Sequence, residues 1–211
     1  MKTLIFSDVH GNLPAFERML KVENSCESFI CLGDLVNYGP WSNECVNLAS
    51  SLPNIKLLMG NHEEAFINGF YPGKNNMVQE FFNFNIEYFK EFEAIKEYSK
   101  YFKIGKFICQ HTIFDQYIYP DTNVILDNNY IVGHSHHQFE YKNGDFILYN
   151  AGSVGQNRKF INVINYLIYN NTTNLIEMKQ LSYNIDKVIN EMRARKFPKE
   201  CINYYLQKNH L

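Results

Sequence analysis

Five of the seven histidines fall inside short motifs that end in metal-binding residue types. In chain order these are Asp8-Val9-His10, Gly33-Asp34, Gly60-Asn61-His62-Glu63, a lone His111 after an apolar run, and Gly133-His134-Ser135-His136. Carboxylates, imidazoles and one neutral amide oxygen suit hard-to-borderline divalent ions such as Mn²⁺, Fe²⁺ or Zn²⁺. Asp and Asn also cap helices and tighten turns after strands. Turn chemistry alone leaves the placement of the histidines unexplained.

The elements that must hold these motifs are readable from periodicity. Lys2 to Ser7 is a buried-strand pattern, and Asn12 followed by Leu13-Pro14 starts a helix reaching about Lys21. Phe29 to Leu32 is a second strand, Ser42 opens a short helix, and Ile55 to Met59 is a third strand. That alternation implies right-handed βαβ units with their site at the carboxyl ends of the strands. Asp8, Asp34 and Asn61 each stand just past such an end. From Asn76 to Tyr98 the spacing of Val78, Phe81, Phe82, Phe89, Phe92 and Ile95 predicts one amphipathic helix. Tyr101 to Gln110 reads as two strands around Gly105, and Tyr130 to Val132 as another. Hairpins are expected to turn at Asn143-Gly144 and around Asn170 to Asn174, followed by two helices, about 185–195 and 199–208.

Length and composition narrow the classes. A chain of 211 residues is ample for one domain, 1–211, with 64–104 as a candidate helical cap and 184–211 as C-terminal helices. The net charge of −2 gives no footprint for bulk nucleic-acid binding. No secretory or membrane-spanning run is evident, and the five cysteines are odd in number without CxxC spacing. A reduced, cytoplasmic protein is the expectation; self-association is left open. Arginine occurs only at positions 18, 158, 193 and 195, so an arginine near the motifs carries weight.

The five motifs, in this order, resemble the calcineurin-like metallophosphoesterases from the first residues to about residue 155. Gly33 to Pro40 and Asn150 to Gln156 are similar to the small single-domain bacterial and archaeal phosphodiesterase branch. The resemblance implies an α/β sandwich of two mixed β-sheets flanked by helices, with the metal site at strand carboxyl ends. It implies two divalent ions, Mn²⁺ first, with Fe, Zn or Ni as alternatives. Asp8, His10, Asp34 and His136 would hold one ion; Asp34, Asn61, His111 and His134 the other, with Asp34 bridging ions about 3.5–4 Å apart. A metal-bridging hydroxide would attack phosphorus, and His62 would serve as general acid or as donor to a phosphoryl oxygen.

Two positions depart from the protein-phosphatase branch of that family. Where that branch carries an Asp and a phosphate-binding Arg after the bridging carboxylate, this chain has Asn37 and Tyr38. Tyr38 cannot grip phosphate bidentately, which leaves Arg158 as the candidate substrate cation, with Asn37 and Tyr38 as further candidate substrate contacts. The expected function is hydrolysis of a small, nucleotide-derived phosphodiester. The alternatives within the class are a phosphomonoesterase and a dinucleoside polyphosphate hydrolase. Outside it stand a non-catalytic scaffold that kept the fold, and a nuclease, for which the mildly acidic chain has little DNA-binding surface.

Overall fold

Side chains along β1 (Lys2–Phe6) part to opposite sides, and the two destinations define the architecture. Leu4 and Phe6 enter a core shared with helices, whereas Ile5 enters a core shared with a second sheet. A computed structural model describes all 211 residues. After β1 come α1 (Leu13–Val22), β2 (Ser28–Cys31), α2 (Ser42–Ser51), β3 (Ile55–Leu57), α3 (Asn61–Asn68), α4 (Asn76–Tyr88) and α5 (Phe92–Lys96). The second half holds β4 (Tyr101–Ile104), β5 (Phe107–Gln110), β6 (Asn129–Val132), β7 (Gln138–Asn143), β8 (Phe146–Ala151), β9 (Val163–Asn170), β10 (Ile176–Ser182), α6 (Asp186–Ala194) and α7 (Lys199–Leu206).

The strands make two mixed five-stranded sheets, ordered β10-β9-β1-β2-β3 and β4-β5-β6-β8-β7. β1, β2 and β3 run parallel, as the βαβ pattern requires, and β9 joins β1 antiparallel. Ile5, Ile30 and Leu167 from the first sheet meet Phe107, Cys109 and Ile131 from the second in the inter-sheet core. The outer face of the first sheet is covered by a larger core, to which the helices contribute Phe16, Met19, Phe81, Met192 and Tyr205. The outer face of the second sheet is covered differently: Ile113, Ile118, Val124 and Leu126, from the 111–128 connection, pack on Tyr130, Val132 and Leu148.

Most expected elements are present, with two corrections. The helix expected over 76–98 breaks at Phe89 into α4 and α5. No Gly or Pro marks the break; the Asn43 amide makes it, donating to the Tyr88 carbonyl (3.0 Å) and accepting from the Lys90 amide (2.7 Å). Phe89 is then free to pack edge-on against Phe66 and Phe92. The β7–β8 hairpin turns one residue later than expected, since Asn143 still pairs with Phe146 and Gly144-Asp145 form the loop. The 64–104 segment is built into the main core through Phe66, Val78, Phe81, Phe82 and Ile95. All five cysteines are free and buried, and no helix is long and apolar enough to cross a membrane.

Candidate metal centre

Every motif sits at the end of a strand. Asp8 follows β1, Asp34 follows β2, Asn61 opens α3 after β3, His111 follows β5, and His134 and His136 follow β6. At Asp8, His10, Asp34, His134 and His136 the chain takes left-handed backbone, with φ of 56°, 49°, 59°, 66° and 60°. Asp and His tolerate this region better than most residues, yet each such residue costs roughly 1–3 kcal/mol. Five in one place are sustained only because the surroundings over-determine them. One such constraint is Gly60, where a Cβ would run into the Asp34 carboxylate.

The side chains converge on two adjacent points. Asp8, His10 and His136 offer ligand atoms within 4.8 Å of one another, and so do Asp34, His111 and His134; a third trio, His10, Asp34 and His62, links the two and draws His62 to the centre. His136 Nε2 lies 3.0 Å and His10 Nε2 3.6 Å from Asp8 Oδ1. Asp34 Oδ2 stands between the groups, 3.2 Å from His111 Nε2 and 3.8 Å from His10 Nε2. Asn61 Oδ1 and His134 Nδ1 are each 3.0 Å from His111 Nε2.

The hydrogen bonds behind these atoms fix what they present. Nδ1 of His10, His111 and His136 donates to the backbone carbonyls of Val36 (3.0 Å), Leu32 (3.0 Å) and Gln156 (2.8 Å). In a neutral ring that tautomer leaves the Nε2 lone pair aimed into the centre. His10 Nε2 and His136 Nε2 then face each other at 3.2 Å, an arrangement of two acceptors that suits a cation among them. Asp8 Oδ1, fully buried, has no hydrogen-bond donor. The other carboxylate oxygens are held in place: Asp8 Oδ2 accepts from the His134 amide and Asp34 Oδ1 from the His62 amide, both at 2.9 Å. The donor set fits divalent ions.

Titration behaviour follows from burial among these groups. Burial pushes His134 and His136 down to about 4 and His62 down to about 3, against the pull of nearby carboxylates. At His111 burial also opposes charge, but Asp34 beside it prevails and lifts the imidazole to about 9. Burial likewise opposes charge on Asp34 and Asp8, and the neighbouring histidines hold both carboxyls below the usual range.

A residue whose role sequence reasoning missed organises this end of the first sheet. The buried Glu63 carboxylate accepts from the backbone amides of Asp34 (2.7 Å), Leu35 (2.8 Å), Val36 (3.3 Å) and Gly60 (3.0 Å). It joins the loop carrying Asp34 to the helix carrying Asn61. Its visible signal was a Glu three residues after Gly60, the acidic half of a capping box.

A cavity of about 250 Å³ opens at the centre, lined by Asp34, Asn61, His62, His134 and His136 and walled by Tyr38, Tyr71, Tyr117 and Arg158. Arg158 therefore reaches the site, its guanidinium donating to the Tyr204 hydroxyl of α7 (2.8 Å). Asn37 does not line the cavity. It is fully buried, and its Nδ2 lies 2.9 Å from His62 Nδ1, so it reaches the site through His62. Tyr71 stacks on His62 and Tyr117 on His134, with centroids 5.4 and 3.9 Å apart. Neither tyrosine, nor Tyr204, lies in a motif; only the fold brings them here.

Comparison with known proteins agrees with this geometry. The calcineurin-like phosphoesterase family profile matches residues 1–150. An uncharacterised protein of Methanocaldococcus jannaschii is 28% identical over an alignment covering 92% of this chain and 93% of that protein. A stretch of 42 residues, 19% of this chain and 23% of the relative, is 43% identical to phosphodiesterase YfcE of Escherichia coli. In structure, a metallophosphoesterase from Sphaerobacter thermophilus superposes with a TM-score of 0.81 at 22% identity, covering 99% of both chains.

Proposed function

This chain belongs to the calcineurin-like phosphoesterase family of metal-dependent phosphoester hydrolases, and from that premise we propose that it is a dinuclear phosphodiesterase acting on a small, nucleotide-derived diester. One observation carries the reading: Asp34 Oδ2 lies between two otherwise complete donor groups, 3.2 Å from one imidazole and 3.8 Å from another. Asp8, His10, Asp34 and His136 would hold one ion, and Asp34, Asn61, His111 and His134 the other, with Mn²⁺ the first choice. Bound there, the ions supply Lewis acidity, making water nucleophilic near neutral pH and offsetting charge on the phosphoryl oxygens. The catalytic unit is the whole chain, 1–211, because α7 supplies Tyr204 behind Arg158.

The chain's own groups do the rest. His62 lines the cavity, and burial keeps its ring neutral. With Asn37 Nδ2 donating to Nδ1, the ring proton sits on Nε2. That N–H is a hydrogen-bond donor to the leaving oxygen or to a phosphoryl oxygen in the transition state. Arg158 adds one fixed cation, and the tyrosine walls limit access of bulk water.

Diesters are favoured over monoesters on charge. A monoester near neutral pH is largely a dianion and gains from several fixed cations, whereas a diester is a monoanion. Tyr38 occupies the place of a second arginine, so only Arg158 remains. The Escherichia coli relative, a phosphodiesterase, points the same way. Phosphomonoester hydrolysis is the second reading, supported by the position of Arg158 on the cavity wall. The deciding assay compares bis-p-nitrophenyl phosphate with p-nitrophenyl phosphate in the presence of Mn²⁺. The diester is expected to react faster; a reproducible tenfold preference for the monoester, about 1.4 kcal/mol in the transition state, would make the second reading primary.

A further inference from the structure

A second cavity, of about 480 Å³, meets the same centre from the other side of Asn61 and His134. It shares those two residues with the His62 cavity and adds His111, while its outer wall is Glu64, Lys100, Gln110, Thr112, Phe114 and Asp115. No tyrosine and no arginine line it. The mixture of groups says what it suits. Lys100, Glu64 and Asp115 form no ion pair, so an ammonium and two carboxylates are available as hydrogen-bonding partners. Gln110 spends its Nε2 on the Thr112 carbonyl at 2.8 Å, which leaves its amide oxygen as an acceptor. Two carboxylates beside a single ammonium disfavour a further phosphate. They favour hydroxyl groups, which can donate to Asp115, Glu64 and Gln110 and accept from Lys100.

Phe114 completes the picture. Phe114 is 51% exposed beside the buried Ile113, and it carries the only phenyl ring on this cavity's wall. Phe114 and Asp115 both take left-handed backbone, with φ of 56° and 51°. The chain thus turns a large apolar ring and a carboxylate outward together, at the rim of a polar cavity. A hydroxyl-bearing ring plus a planar aromatic face is what a nucleoside requires, since any base can stack on an exposed aromatic side chain.

We propose that this second cavity is the subsite for the retained nucleoside of the diester, with the sugar hydroxyls on Asp115, Glu64 and Gln110 and the base on Phe114. This rests on the phosphodiesterase reading above, with His62 as donor to the leaving oxygen: His62 lines only the first cavity, so the leaving group departs there and the retained ester group lies in the second. A monoester would fill one cavity and leave the other to solvent.

The test uses two diesters with one leaving group, uridine 5′-(p-nitrophenyl phosphate) and methyl p-nitrophenyl phosphate, with Mn²⁺ supplied to the full chain. The wild type is expected to prefer the nucleoside diester at least tenfold in kcat/KM, mainly through KM. Phe114→Ala should erode that preference by roughly tenfold, the order expected for one lost stacking contact, and Asp115→Asn by a smaller factor. Phe114→Leu keeps an apolar side chain without a stacking face and should behave like Phe114→Ala. Equal handling of the two diesters by the wild type, or equal losses on both in the Phe114 variants, would overturn the subsite while leaving the phosphodiesterase reading intact. Turnover of p-nitrophenyl phosphate but of neither diester would overturn both.

Discussion

The two sheets contribute unlike things to one centre. The first sheet supplies both carboxylates, the amide and one imidazole, Asp8, Asp34, Asn61 and His10, from strand ends backed by a helical layer, with Glu63 tying the Asp34 loop to the start of α3. The second supplies only imidazoles, His111, His134 and His136, and its outer face is covered by the 111–128 connection. That same connection bears Phe114, Tyr117 and Tyr119, exposed beside the site. The carboxylates and the rigid framework lie on one side, three imidazoles and the exposed aromatic wall on the other. The division separates what must stay constant for the chemistry from what can vary to choose a substrate.

The sharpest way to break this contrast is to remove the shared oxygen donor. Asp34→Asn should empty both ion positions and cut activity by at least about 10³-fold, beyond the 10–100-fold typical of a residue that only supports a ligand. Asp8→Asn and His134→Ala should each empty mainly one position. Metal analysis finding a single ion in active wild-type protein, or both ions lost in His134→Ala, would end the assignment of Asp34 as the bridge.

His62 comes next. His62→Ala should keep both ions and lose about 10²–10⁴ in rate, more on an alkyl leaving group than on an activated aryl one. Equal losses would place its N–H on a phosphoryl oxygen, and loss of an ion would make His62 a ligand. Glu63→Gln probes the rigidity of the first sheet from behind. It keeps the shape of the side chain but turns an amide N–H₂ toward backbone donors, and metal affinity is expected to fall by about 10–100-fold. Unchanged affinity would mean that the loop holds itself. The smallest effect belongs to Arg158. Arg158→Ala should cost a monoester about tenfold more than a diester, because the dianion has more to lose; a larger loss on the diester would assign the arginine to the retained ester oxygen instead.

The candidate ligand loops were legible because metal chemistry admits few residue types and βαβ topology admits few places to put them. Asp8, Asp34 and Asn61 announce themselves at strand ends in any reading of the first sixty residues. The break at Phe89 was hidden because its cause, the Asn43 amide, lies more than forty residues away in the chain. The same applies to Tyr71 and Tyr117, whose neighbours along the chain say nothing of the cavity they wall, and to Tyr204 behind Arg158. Arg158 was conspicuous by rarity, but only the pairing with Tyr204 across the fold places its guanidinium. Glu63 was in plain view beside His62, yet four backbone donors converging on one carboxylate cannot be inferred from spacing.

His10 and His136 meet at 3.2 Å across a separation of 126 residues, one ring leaving the first sheet and the other the second. An ion shared by such residues is a removable cross-link that closes a very long loop, and doubling a loop's length adds only about 0.6 kcal/mol to the entropy of closing it. The denatured chain, with its donors scattered, holds the same ions far more weakly. Occupancy at 1,000 times the dissociation constant would add about 4 kcal/mol per ion to the folded state, comparable with a good part of a typical domain's whole stability. The supply of divalent metal would then set how firmly the two sheets stay shut, as well as how fast the site turns over.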